Sequence, residues 1–127
     1  MTYSKCAFTL IELLIVVSII ALLATFAMPA YRRAQERAHD NEATAMLKLI
    51  QHSEKVYHME RPNEYAACGN TSACNVALNL NLSAAYWAYS VSADASGFCA
   101  EATHSTGGNP RTWYINETDE EPNDSGC

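Results

Sequence analysis

The sequence predicts an α+β fold: one long N-terminal α-helix, its first half membrane-spanning, packed against a small antiparallel β-sheet of about three strands. Three observations carry this. Residues 8–30 form an apolar run holding a single charge, Glu12, and a single proline, Pro29. Residues 31–60 contain no glycine or proline and turn amphipathic. The remainder is broken by glycine and proline, and holds three short stretches rich in aromatic and β-branched residues.

Taken in order, residues 1–7 come first, with Lys5 and Cys6. A secretory signal has its small-residue cleavage site after the apolar region. Here the candidate site, Ala7–Phe8, precedes it, so the apolar run is expected to stay with the mature chain while Cys6 leaves. At 1.5 Å per residue the helix over 8–30 is roughly 35 Å long, enough to cross a hydrocarbon core. Glu12 is expensive there, roughly 2.5–3.5 kcal/mol near the bilayer centre and less towards its edge. An ordinary anchor has no reason to keep it without a partner.

The short leader, the run Phe8-Thr9-Leu10-Ile11-Glu12, the apolar segment, Pro29 and Tyr31 together resemble the type IV pilin family, which includes the pseudopilins of type II secretion. The resemblance implies that a prepilin peptidase cuts between Ala7 and Phe8 and that the new Phe8 amine is methylated. The family normally has glycine before the cut; Ala7 departs from this but is also small. Glu12 falls at the family's fifth mature position. The implied function is a non-enzymatic structural subunit that polymerises through its helix into a type IV pilus or pilus-like fibre. Its implied partners are further copies of itself, minor pilins, the peptidase and an inner-membrane assembly platform. The implied location is the inner membrane of a bacterium before assembly, then an extracellular pilus or a periplasmic pseudopilus. Two alternatives stand beside it: a type II secretion pseudopilin with a calcium-dependent head, and a membrane-anchored periplasmic binding module.

Physical chemistry supplies a role for Glu12 in such a fibre. If neighbouring helices stack with a vertical offset, Glu12 of one meets the Phe8 amine of another. That pair offsets the desolvation of both charges and rewards one register. A head-to-tail contact that does not close on itself generates a filament. Ser18, Ala21 and Thr25 recur at three- and four-residue steps, a spacing that lets helices approach closely in lipid. Pro29 removes a backbone donor, so a kink or local loosening is expected there. Orientation carries a conflict. Lys5 marks the leader side as cytoplasmic, yet Arg32, Arg33 and Arg37 follow the run directly and by the positive-inside rule favour the reverse. The cysteines and the resemblance together place the remainder outside.

The helix continues as an amphipathic half over 31–61, making 8–60 one element. Ala38, Ala45, Met46, Ile50 and Tyr57 fall near one face, with Leu47 and Val56 beside it. Glu36, Asp40, Glu54 and Lys55 lie elsewhere. His39, His52 and His58 have no i,i+4 pair and no HExxH context, so they read as solvated or hydrogen-bonded side chains.

Residues 62–127 form the head. Residues 61–85 read as loop, with Val76, Ala77 and Leu78 a turn of helix. Strands are expected at 86–93, 98–103 and 112–116. In the first, Trp87, Tyr89 and Val91 face one side while Tyr86, Ala88 and Ser90 face the other. Residues 93–97 link the first two strands, and Gly107-Gly108-Asn109-Pro110 breaks the chain before the third. The tail, 117–127, is an acidic loop.

With Cys6 gone, Cys68, Cys74, Cys99 and Cys127 remain, and four cysteines allow three pairings. The favoured set is Cys68–Cys74 with Cys99–Cys127. The second clasps the tail to the middle strand, worth about 3 kcal/mol by chain entropy. A head this small needs such staples. Zinc usually shows paired CxxC spacing, which is missing here. Asp119, Glu120, Glu121 and Asp124 offer the hard oxygens calcium takes, but they lack an EF-hand pattern and read first as a solvated face. No cofactor is therefore expected, with calcium the lesser reading. Asn70, Asn81, Asn116 and Asn123 begin formal N-x-S/T sequons, a weak signal. No catalytic arrangement stands out; His104, Cys99 and Asp94 have no spacing that asks for one. The net charge of −6 argues against direct nucleic-acid contact.

Overall fold

A computed structural model describes residues 7–104 and 110–127; Lys5, Cys6 and the Gly107-Gly108-Asn109 break lie outside the described residues. The elements are α1 (Leu10–Glu60), α2 (Thr71–Ala77), β1 (Trp87–Ala93), β2 (Phe98–His104) and β3 (Arg111–Asn116). By internal contacts the chain divides into two units, one ending at Ala38 and one running from His39 to Cys127.

In the first unit every residue from 7 to 38 is exposed. The helix begins at Leu10 rather than Phe8 and continues through Pro29. A stretch of α1 is long and apolar enough to cross a membrane, and none of it is buried inside the protein.

The second unit is built on an antiparallel sheet of order β1-β2-β3. Alternation along β1 sends Trp87, Tyr89 and Val91 inward and leaves Ala88 and Ser92 exposed. Register then sets two rows on the inner face: Tyr89, Ala102, Trp113 and Val91, Ala100, Ile115. Large residues on the outer strands flank alanines on the central one, which forms a trough for a helix. Ala43, Leu47 and Ile50 of α1 join these residues in a single core. Trp87 Nε1 donates to the His39 carbonyl at 2.8 Å. Arg111 of β3 pairs with Asp40 at 2.6 Å.

The buried face of α1 is rotated from the sequence expectation. Ala43, Leu47, Ile50, Gln51 and Glu54 are the buried residues, whereas Ala38, Ala45 and Val56 are exposed. Polar Gln51 and Glu54 are inside because the loops give them partners. Gln51 Nε2 donates to the carbonyls of Asn116 and Asp119 at 2.7 and 2.8 Å. Glu54, fully buried, accepts from Ala66 N–H at 2.9 Å. Burial pushes its carboxyl above the ordinary carboxylate range, against the opposing pull of that hydrogen bond.

The region 61–85 is not all loop. α2 starts at Thr71, where Asn70 Oδ1 accepts from Ala73 N–H at 2.9 Å, an N-cap. Thr71 Oγ1 in turn accepts from Tyr89 N–H at 3.0 Å, which ties the helix to β1.

Each edge of the sheet carries one isolated bridge to a flanking segment. Cys68 exchanges two backbone hydrogen bonds with Val91 at 2.9 and 2.8 Å on the β1 side, and Asn123 does the same with Tyr114 at 2.9 and 2.7 Å on the β3 side. Each flanking segment carries a cysteine of a disulfide: Cys68–Cys74, Cα atoms 5.0 Å apart, and Cys99–Cys127, 5.9 Å apart. Short covalently held strips of this kind blunt edges that otherwise template pairing with another chain.

Candidate assembly site on the N-terminal helix

The first turn of any helix leaves N–H groups without partners. Thr9 and Glu12 satisfy two of them reciprocally. Glu12 Oε2 accepts from Thr9 N–H and from Thr9 Oγ1, both at 2.9 Å, while Thr9 Oγ1 accepts from Glu12 N–H at 3.3 Å. This is a capping box, and it explains why the helix begins at Leu10. The sequence reading assigned Glu12 to an intermolecular pair and missed Thr9; the signal was there in the spacing Thr9-Leu10-Ile11-Glu12 ahead of an apolar run. The carboxylate also lies at the positive end of the helix dipole. Its second oxygen keeps acceptor capacity for a further donor.

Around this turn, apart from Thr9 and Glu12, the surface is apolar. Phe8 and Leu10 are 81 % and 82 % exposed, and the exposed large side chains continue through Ile11, Leu14, Val17 and Ile20 to Phe26. Beyond Thr9, the two hydroxyls on the segment make no demand on a neighbour. Ser18 Oγ donates to the Leu14 carbonyl and Thr25 Oγ1 to the Leu22 carbonyl, both at 2.7 Å. Pro29 has no N–H for the Thr25 carbonyl four residues earlier, so the ladder lacks one bond there.

The other sequence candidates fall in the second unit. Cys99, bonded to Cys127, is no nucleophile. The Asp94 carboxylate sits in a turn, accepting from Ser96 Oγ, Ser96 N–H and Gly97 N–H; these bonds hold it below the ordinary range. The four tail carboxylates are not gathered as a metal cage. Asp119 accepts from Asn116 N–H and the Asn123 amide, Glu121 pairs with Lys48, and Glu120 and Asp124 are exposed. Among the described residues no group of three or more His, Cys, Asp or Glu side chains is arranged to hold a metal ion.

One membrane-length helix, opening on a capped Phe-Thr-Leu-Ile-Glu turn, with a doubly cross-linked α+β head built on its second half, defines a class of proteins with a single apolar N-terminal helix. Comparison with known proteins names it. Residues 3–28 match the prokaryotic N-terminal methylation motif. The chain is 39 % identical over 101 residues to the type IV wide pilus major component PilA4 of Thermus thermophilus, covering 79 % of this chain and 74 % of that one. It is 43 % identical over 54 residues to the type IV major pilin protein PilA of Myxococcus xanthus, covering 42 % of this chain and 24 % of that one. No solved structure matches. The chain belongs to the type IV pilin family.

Proposed function

We propose that this chain is a structural subunit of a type IV pilus, inserted in the inner membrane as a precursor, cleaved before Phe8, methylated there, and polymerised through its N-terminal helix. The observation that carries the reading is the contrast within α1. From 10 to 38 nothing is buried, although most side chains up to Met28 are large and apolar. A contiguous apolar surface of this size needs lipid, and after extraction from lipid it needs other copies of the same surface. The two relatives are named as pilus components, which supports a pilus over a secretion pseudopilus.

Copies offset along the helix axis bring the Glu12 carboxylate of one to the Phe8 amine of the next. Glu12 already holds its own helix cap with one oxygen, so the rotamer is set before a neighbour arrives. Pre-setting of this kind lowers the ordering cost of the intermolecular contact. The capped turn therefore serves both the monomer and the fibre.

The test is made in the native host. Sheared surface filaments should contain this chain, and intact-mass analysis should show loss of residues 1–7 with one methyl-sized addition. A deletion strain should lack those filaments. Mature protein retaining Cys6, or filaments undiminished in the deletion strain, contradicts the reading.

A further inference from the structure

We propose that the arginines directly after the apolar run, Arg32, Arg33 and Arg37, dock on the C-terminal tail of a second copy of this chain, at Glu120 and Asp124. The inference rests on the pilus-subunit reading and adds a contact to it. All three arginines are exposed. The ion pairs of the described residues are His39–Glu42, Lys48–Glu121 and Arg111–Asp40, so none of the three is used, not even by neighbouring Glu36. They are also placed where the positive-inside rule works against the orientation the chain needs. A role in the assembled state accounts for keeping them.

The opposite charge is in the tail. Residues 117–124 hold five carboxylates and no lysine or arginine. Three are occupied within the head: Glu117 accepts from Phe98 N–H, Asp119 from Asn116 N–H, and Glu121 pairs with Lys48. Glu120 and Asp124 are exposed, with no hydrogen bond or ion pair among the described residues. Asp124 also borders a groove of about 410 Å³ walled by Trp113 and Tyr114. Arg111, the one cation among the described residues on that groove, is held by Asp40 at 2.6 Å. A carboxylate beside aromatic faces suits a planar guanidinium, which pairs with the one and stacks on the other.

Lipid headgroups also attract arginine, but they leave the free carboxylates without a partner and repel the acidic tail. A second copy satisfies both ends at once. Charge pairs of this kind set register and suppress wrong contacts more than they add affinity.

The experiment is a charge swap in the full chain, reading sheared filament yield against membrane-bound monomer. The stem set is Arg32→Glu, Arg33→Glu and Arg37→Glu; the tail pair is Glu120→Arg and Asp124→Arg. Each alone should lower yield by about tenfold or more, and the combination should return it to within about threefold of wild type. The shape-conserving pair Glu120→Gln and Asp124→Asn should lower yield in the same direction by less. A combination no better than the stem set alone overturns the proposal. So does a tail pair with wild-type yield, the outcome expected if the arginines serve headgroups. Wild-type chain that forms no filaments at all would instead defeat the pilus reading itself.

Discussion

Residues 10–38 and 39–60 belong to one helix and answer to different surroundings. The first stretch carries its apolar residues all the way round and buries none of them. The second carries fewer apolar residues, yet buries Ala43, Leu47 and Ile50 completely, together with Gln51 and Glu54. Apolar content therefore does not locate the core. What locates it is the presence of a facing element: the trough of Ala100 and Ala102 between Tyr89, Trp113, Val91 and Ile115 covers the second stretch. The second stretch serves the head's own stability; on the proposed reading the first is left for partners outside the chain.

If that division is right, substitutions in the two stretches separate cleanly. Leu47→Ala or Ile50→Ala should destabilise the head by about 2–5 kcal/mol. Both tryptophans, Trp87 and Trp113, lie in the sheet, so fluorescence-detected urea unfolding in detergent reads the head alone. Leu14→Ala, with no head residue to leave behind, should give the wild-type unfolding curve. A shifted curve for Leu14→Ala breaks the comparison. Next in size is Cys99→Ser with Cys127→Ser, which should cost about 3 kcal/mol in the same assay by releasing a 28-residue loop, with membrane insertion unaltered.

A smaller effect sharpens the comparison through pH. Burial raises the Glu54 carboxyl above its ordinary value of 4.5, so the folded head holds a proton that the unfolded chain gives up. That contribution is complete below the unfolded value and is lost as pH rises through the folded one. Glu54→Gln keeps an acceptor for Ala66 N–H and carries no charge. It should be more stable than wild type at pH 7 and little different at pH 4. Equal loss at both pH values would show that the carboxylate is needed for its shape and hydrogen bonds, not tolerated in spite of its charge.

Much of this fold was legible because its periods are clean. The apolar run, the absence of Gly and Pro to residue 60 and the two-residue alternation at Trp87, Tyr89 and Val91 placed α1 and the strands to within a residue or two. The misses share a cause: they depend on pairings that polarity alone does not reveal. Glu54 was placed off the buried face because it is charged, yet it lies inside, accepting from Ala66 N–H. The helical face was misjudged at Ala45 and Val56, since the sheet's trough, not the spread of apolar residues, selects it. α2 was seen only as a turn because seven residues carry little periodicity, and its N-cap at Asn70 passed as one more loop asparagine. At the candidate site the expected partner of Glu12 is the Phe8 amine of another copy, whereas the partner that the structure shows is Thr9 of the same chain, a pairing that the apolar run around it obscures.

Glu12 gives the most direct test of the claim that the first stretch works between copies. Glu12→Gln can still accept from Thr9 N–H and Thr9 Oγ1 and removes the charge; Glu12→Leu removes the charge and both of those bonds, leaving only the backbone N–H of position 12 to Thr9 Oγ1. Filament yield, normalised to membrane-bound monomer, should collapse in both variants, because breaking a buried pair costs roughly 3–5 kcal/mol at each subunit added. Head unfolding should stay at the wild-type value, and monomer insertion should be equal or better. Normal filaments from Glu12→Gln at equal monomer level would contradict the account. If Glu12→Leu alone then failed, the carboxylate would be serving its own helix cap and not a neighbour's Phe8 amine.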